Sequence, residues 1–330
     1  LNNISKIKPK NYYKAIDHSI IPYDSDISIT FRITESCNLH CEYCFWNSGK
    51  HYKIEDIKIT IDKLFLYFEN NNMKIINFYF HGGEASTHPD ILEILDYIRE
   101  KEKLSKNKIF IEFQTNLAMQ LELLEDIIQK IDIIDISYHH NDLKKHNKFD
   151  NFIENWKYLE KIKFSIQSLD IMLENVQNIN YFYNIILRLL KNENIVNSEM
   201  IYSFCHYDKN PETYTKHIEF YNKYNKTSQT YEIDGKMYNT NDLFEKGLDC
   251  TGWQCNAGIN SIIVNGDGNV FKCGIHMTNY ITRNIKEDKP YTNVITDKHF
   301  LIKLKILFLN GTICRWDYCG GDFYLSKEKK

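Results

Sequence analysis

Apolar and polar residues alternate along Ile27-Ser-Ile-Thr-Phe-Arg-Ile33, a period of two that predicts a half-buried strand. From Thr60 to Asn70 the period changes: Ile61, Leu64, Phe65 and Phe68 fall on one face of an amphipathic helix. Lys74 to Phe80 is a nearly continuous apolar run, the pattern of a strand covered on both sides. Pro89 to Glu100 reads as a helix with proline in its first turn. The rhythm then repeats. Strands are predicted at Lys108–Phe113, Ile131–Tyr138, Lys163–Ser168 and near Glu199–Cys205, with helices near Ala118–Lys130, Asn151–Lys161 and 174–191. About six βα units in a row predict an α/β fold built on a parallel sheet or a partial barrel.

After residue 225 the texture changes. Thr230 to Tyr238 predicts a short hairpin turning at Asp234-Gly235, and residues 259–272 a second one turning at Asn265-Gly-Asp-Gly268. A helix at about 297–309 and a cysteine-containing tail follow. The expected division is therefore a barrel over residues 1–225 and a small appended domain, hairpin plus helix, over 226–330.

The chain has 330 residues, enough for a large core, and 43 % apolar with 26 % charged residues is ordinary for a globular protein. A net charge of −3 gives no field that would draw it to nucleic acid or to an anionic membrane. No apolar run reaches membrane-span length and the first ten residues have no apolar stretch of a signal peptide, so a cytoplasmic location is expected. In that compartment nine cysteines point to metal ligands, reactive thiols or buried filler rather than disulfides. Their clustering favours metal: three lie within 37–44 and five within 250–319, with Cys205 alone.

Cys37-Asn-Leu-His-Cys41-Glu-Tyr-Cys44 sits just after the first barrel strand. Three thiolates this close can hold three irons of a 4Fe–4S cube and leave the fourth iron open to a ligand. The competing reading is zinc, which in a closed site needs a fourth ligand from His40 or a remote residue.

The spacing resembles the signature of the radical SAM superfamily, and Phe80-His81-Gly82-Gly83-Glu84 follows at the end of the second strand, as in that family. The resemblance covers residues 27–210 and implies a partial (β/α)6 barrel in which Cys37, Cys41 and Cys44 bind a 4Fe–4S cluster that chelates S-adenosylmethionine (SAM). It implies that Gly82, Gly83 and Glu84 receive the SAM amino group, glycines permitting close approach and a carboxylate matching an ammonium. Tyr43 matches the aromatic residue that packs on the adenine. Gln114-Thr-Asn116 resembles the family's Thr-Asn-Gly, with Leu117 in place of glycine, and Ser137 stands where a hydroxyl meets the ribose or carboxylate. Asn116 and Ser137 read equally well as ordinary strand-end turn residues. Tyr138-His139-His140 either faces the pocket or caps a strand.

Cys255 and Cys273 bracket the second hairpin, and Cys314 and Cys319 follow the last helix. That order resembles the twitch domain of radical SAM enzymes, a shortened SPASM domain, and implies an auxiliary 4Fe–4S cluster. Four residues separate Cys314 from Cys319 where two are commoner. Zinc suits four cysteines equally well. Cys250 is a fifth candidate, and since one cluster takes at most four thiolates it is either spare or displaces another. Cys205 and Cys250 read as hydrogen-donating thiols or as buried filler.

What the family resemblance implies is reductive cleavage of SAM to a 5′-deoxyadenosyl radical, with flavodoxin or ferredoxin as electron donor, and abstraction of a substrate hydrogen. Two substrate classes remain open: a peptide or protein side chain (oxidised, crosslinked or epimerised), and a small metabolite such as an amino sugar or nucleoside. Relatives with this appended domain favour the peptide. Only 36 residues precede Cys37, too few for the leader-binding domain many peptide maturases carry there, which favours the metabolite.

Overall fold

A computed structural model of the chain describes residues 12–16, 25–41, 44, 49–172, 176–201, 216, 219–220, 223, 230–239, 253–255, 259, 261–273, 276–277, 289–310, 312–313 and 327–329. The strands are β1 (Tyr12–Ile16), β2 (Ile27–Arg32), β3 (Ile75–Phe80), β4 (Lys108–Thr115), β5 (Ile133–Tyr138), β6 (Ile166–Met172), β7 (Ile195–Ile201), β8 (Thr230–Ile233), β9 (Lys236–Asn239), β10 (Trp253–Cys255), β11 (Ser261–Asn265), β12 (Asn269–Phe271), β13 (Thr292–Asn293), β14 (Thr312–Ile313) and β15 (Lys327–Lys329). Helices α1 (Ile54–Asn70), α2 (Ile91–Leu104), α3 (Leu121–Ile128), α4 (His140–Lys145), α5 (Phe149–Ile162) and α6 (Ile179–Leu189) fall between the barrel strands, and α7 (Phe300–Asn310) comes late.

Strands β2 to β7 lie side by side in chain order, every neighbouring pair parallel, with the sheet left unclosed. Each crossover carries a helix, as parallel pairing requires. On the near edge β11 pairs parallel with β2, Ser261 opposite Ser28 and Asn265 opposite Arg32, and the β12–β13 pair completes a nine-stranded sheet. The second predicted hairpin is thus β11–β12, and it continues the barrel's own sheet. Gly266 N donates to Arg32 O at 2.8 Å, and a side chain at Gly266 would strike Tyr52 and Ile57, so the turn is seated on α1. A second sheet, order β14-β10-β15-β1-β8-β9, joins the N-terminal strand to late ones.

Helix α1 begins at Ile54, earlier than its apolar stripe alone suggested. Glu55 and Asp56 sit in its first turn, where carboxylates suit the positive helix end, and Ile57 extends the buried stripe through Ile61, Leu64, Phe65 and Phe68. Helix α5 runs to Ile162 because Lys163 stops it in the left-handed region at φ 56°, so β6 starts only at Ile166. The one-and-a-half turns of α4 were not expected from periodicity, being too short to show any.

Candidate active site

The strand ends of β2, β3 and β4 meet under the cysteine loop. Cys37 and Cys41 are half-buried and Cys44 exposed, and Cys44 N donates to Cys41 O at 2.9 Å, closing a turn across the last two. Two N–H donors point at Cys37 Sγ: Leu39 N at 3.4 Å and Asn116 Nδ2 at 3.8 Å. His139 Nδ1 lies 3.8 Å from Cys41 Sγ. Burial, then the charge of Glu84, pushes the Cys37 thiol up to about 12, so an isolated thiol there stays protonated at neutral pH. A ligand thiolate needs a cation beside it, and N–H donors aimed at sulfur suit a thiolate acceptor. The donor set therefore fits an iron–sulfur cluster. Among the described residues no three His, Cys, Asp or Glu side chains converge on a point for a single ion. A cube asks for a wider arrangement, each cysteine on its own iron.

The Gly-Gly-Glu turn is stitched to that loop. Gly83 N donates to Thr34 O at 3.2 Å and Glu84 N to Ser36 O at 2.8 Å. A Cβ on Gly83 would lie 2.1 Å from Ser36 O, and one on Gly82 2.5 Å from Thr34 O, with Gly82 also at φ +152°. The close approach that these glycines permit is, in the first place, to the backbone of the cysteine loop. Glu84 is 2 % exposed. Its Oε1 accepts from Ser86 Oγ (2.6 Å), Ser86 N (3.3 Å) and Thr115 Oγ1 (2.9 Å), and its Oε2 from Asn116 N (2.8 Å). Burial raises this carboxyl and those donors pull it back down. Glu84 thereby clamps the end of β4 against the end of β3, with only Oε2 holding a single partner.

Asn116 is committed to the loop as well. Its Nδ2 also donates to Asn38 Oδ1 at 2.8 Å, and its Oδ1 accepts from Ala118 N at 3.0 Å. Leu117, at the family's glycine position, is in the left-handed region at φ 53° and wholly buried. Asn155 Nδ2, from α5, holds Leu117 O and Met119 O at 2.9 Å each, which steadies a backbone that a leucine rarely adopts.

The inner face of the sheet is polar. Asn77 Nδ2 on β3 donates to Ser28 Oγ on β2 (3.3 Å) and to Glu112 Oε2 on β4 (2.9 Å), and Ser168 Oγ on β6 donates to Asp135 Oδ1 on β5 (2.8 Å). Burial, and then the neighbouring Glu112, holds the Asp135 carboxyl well above the usual range. Ser137 stands two residues further along β5 than Asp135, on the same face by strand alternation, and is 8 % exposed. None of Asn77, Glu112 and Asp135 was singled out from the sequence. Their signal was a polar residue at every second position inside runs otherwise rich in Ile and Phe.

Residues 31–189 match the family model of the radical SAM superfamily. This stretch is similar to a radical SAM domain. The chain is 34 % identical over 124 residues to the antilisterial bacteriocin subtilosin biosynthesis protein AlbA of Bacillus subtilis (strain 168), covering 36 % of this chain and 26 % of that protein. It is 25 % identical over 290 residues to the radical SAM cyclopropyl synthase TigE of Paramaledivibacter caminithermalis, covering 78 % and 52 %. The chain thus spans between about a quarter and half the length of these curated relatives. Its fold matches the solved structure of native anSMEcpe with bound AdoMet and Kp18Cys peptide, at a TM-score of 0.53 and 17 % identity, over 85 % of this chain and 82 % of that one. The α/β partial barrel with a parallel, unclosed sheet is borne out.

The parallel sheet brings Cys37, Cys41, Cys44, Gly82, Gly83, Glu84 and Asn116 together at one end, with Ser137 on the inner face nearby. Of the tandem histidines, His139 faces the cysteine loop, while His140 Nδ1 pairs with Tyr138 Oη at 2.5 Å among Phe149 and Phe182. Burial lowers both imidazoles to about 4. Cys255 falls on β10, and Cys273 lies buried just past β12. Tyr43, Cys205, Cys250, Cys314 and Cys319 lie outside the described residues.

Proposed function

We propose that this protein is a radical SAM enzyme that binds a 4Fe–4S cluster through Cys37, Cys41 and Cys44 and modifies a peptide or protein side chain. The observation that carries the reading is the single polar assembly at the strand ends, where Gly82–Glu84 and Asn116 are hydrogen-bonded to the very loop that presents the cysteines. When bound, the reduced cluster supplies the electron that splits SAM to methionine and a 5′-deoxyadenosyl radical. The chain's own residues place that chemistry. Oε2 of Glu84 retains capacity for an ammonium donor, Ser137 offers a hydroxyl on the inner face, and Tyr43 offers a ring for the adenine. The polar row Ser28–Asn77–Glu112–Asp135–Ser168 floors the space a substrate would enter.

The peptide assignment draws on relatives: AlbA is a bacteriocin biosynthesis protein, and the anSMEcpe structure carries a bound peptide. Cys255, Cys273, Cys314 and Cys319 are proposed to hold an auxiliary 4Fe–4S cluster, a sink for the second electron in oxidative outcomes. Cys205 and Cys250 are the candidate hydrogen donors if the outcome is epimerisation. The division at residue 225 is proposed as one of function, since Ser261–Phe271 pairs into the barrel sheet.

Two measurements test this. Anaerobic reconstitution is expected to give about eight irons per chain, and about four irons with one zinc would reject the auxiliary cluster. Deuterated candidate substrates separate the classes: label passing from a peptide into 5′-deoxyadenosine supports the proposal. Label passing only from an amino sugar or nucleoside replaces the peptide with a small metabolite.

A further inference from the structure

His139 is the first residue past β5, on the inner face by alternation with Asp135 and Ser137, and its Nδ1 comes within hydrogen-bonding range of Cys41 Sγ, 3.8 Å away. One strand over, Asn116 holds the matching position past β4 and aims Nδ2 at Cys37 Sγ, also at 3.8 Å. Adjacent strand ends thus deliver one side-chain donor to each of two cysteines. A metal-bound thiolate only accepts hydrogen bonds, so a ring nitrogen facing it carries the proton. Hydrogen bonds to cluster sulfurs draw electron density from the core and favour its electron-rich, reduced state.

We propose that His139 is a positioning residue for the cluster, donating from Nδ1 to Cys41 Sγ and, with Asn116 on Cys37, raising the reduction potential of the site that cleaves SAM. This rests on the assignment of Cys37, Cys41 and Cys44 to a 4Fe–4S cluster, and it adds a residue to which that assignment gives no role. The contact is sequence-distant, 98 residues apart along the chain, so β5 and the cysteine loop must be docked before it forms. It also gives the tandem histidines separate tasks: His139 serves the cluster, and His140 packs behind the sheet with Tyr138.

The test is an EPR-monitored redox titration of the anaerobically reconstituted full chain, comparing wild type with His139→Phe and His139→Gln, each assayed for iron. The phenylalanine keeps a ring but has no donor, and the glutamine restores an N–H. At an applied potential between the two midpoints, His139→Phe is expected to show a several-fold lower ratio of reduced to oxidised cluster than wild type at equal iron. A tenfold change in that ratio corresponds to about 59 mV for one electron. His139→Gln is expected to recover most of that loss. Equal midpoints for wild type and His139→Phe at equal iron would overturn the proposal, as would equal shifts in both variants. If His139→Phe fails to take up iron, wild type carrying ¹⁵N-labelled histidine decides. Hyperfine coupling from a histidine nitrogen to the reduced cluster, weakened to the level of a hydrogen-bonded rather than ligating nitrogen, supports the proposal, and its absence overturns it. A wild-type protein that binds no iron at all removes the cluster assignment as well, a distinct failure.

Discussion

On the outer side of β2, β3 and β4, Phe31, Phe78, Phe80 and Phe113 are wholly buried, and Phe31 meets Phe78 and Phe80 edge to face with ring centroids 5.8 Å apart. On the inner side of the same strands stand Ser28, Asn77 and Glu112, joined by hydrogen bonds and continued by Asp135 and Ser168. Adjacent residues in the chain therefore serve opposite ends. The outer side removes apolar area from water under α1 and α2 and carries most of the stability. The inner side holds buried and half-buried polar groups, whose desolvation costs stability that their mutual hydrogen bonds offset only in part.

This contrast can be broken by substitution. Phe78 touches Phe31, Phe65 and Phe68, and Phe78→Ala is expected to destabilise by about 3–5 kcal/mol in anaerobic denaturant unfolding. A loss below about 1 kcal/mol would mean that the outer face is not the core. Asn155 is a buried polar residue on the helix side, and Asn155→Ala strands the buried carbonyl of Leu117. A loss of roughly 1–3 kcal/mol is expected, together with weaker SAM binding by calorimetry, because Leu117 is tied to Asn116. No change in either would leave the left-handed turn without a support.

The smallest effect is expected from Asp135→Asn on the inner face, and it depends on pH. The Asp135 carboxyl is raised in the folded protein, so the fold keeps a proton that the unfolded chain gives up above about pH 4. Unfolding then releases protons, and this group's contribution to stability falls as pH rises from there through the raised folded value. The asparagine removes that slope. Unfolding midpoints at pH 5 and pH 8 are expected to fall less in the variant than in wild type, and an equal or steeper fall would contradict the assignment of the proton.

Much of this was legible beforehand because period and punctuation carry it. The alternation of Ile27–Ile33, the stripe of Ile61, Leu64, Phe65 and Phe68, and the Asn265–Gly268 turn each specify their element locally. The cysteine spacing and Gly82-Gly83-Glu84 pointed to the candidate site because each motif is contiguous in the chain. What stayed hidden depends on contacts across strands. Glu84 pairs with Thr115 and Asn116, Cys41 with His139, and Glu112 with Asp135, and none of these pairs shares a local pattern. The seating of Ser261–Asn265 on β2 was hidden for the same reason, since edge pairing is chosen by the whole sheet.

The central claim is that the Cys37, Cys41 and Cys44 loop holds the centre that cleaves SAM. Its most direct test is to reduce the anaerobically reconstituted chain with dithionite in the presence of SAM and to measure 5′-deoxyadenosine by chromatography. The wild type is expected to form it. Variants with Cys37, Cys41 or Cys44 replaced by Ala are expected to form none, while Cys255→Ala and Cys273→Ala keep cleavage and lose turnover of the true substrate. Wild-type protein that carries its iron yet forms no 5′-deoxyadenosine would contradict the account, as would undiminished cleavage by the Cys37→Ala variant.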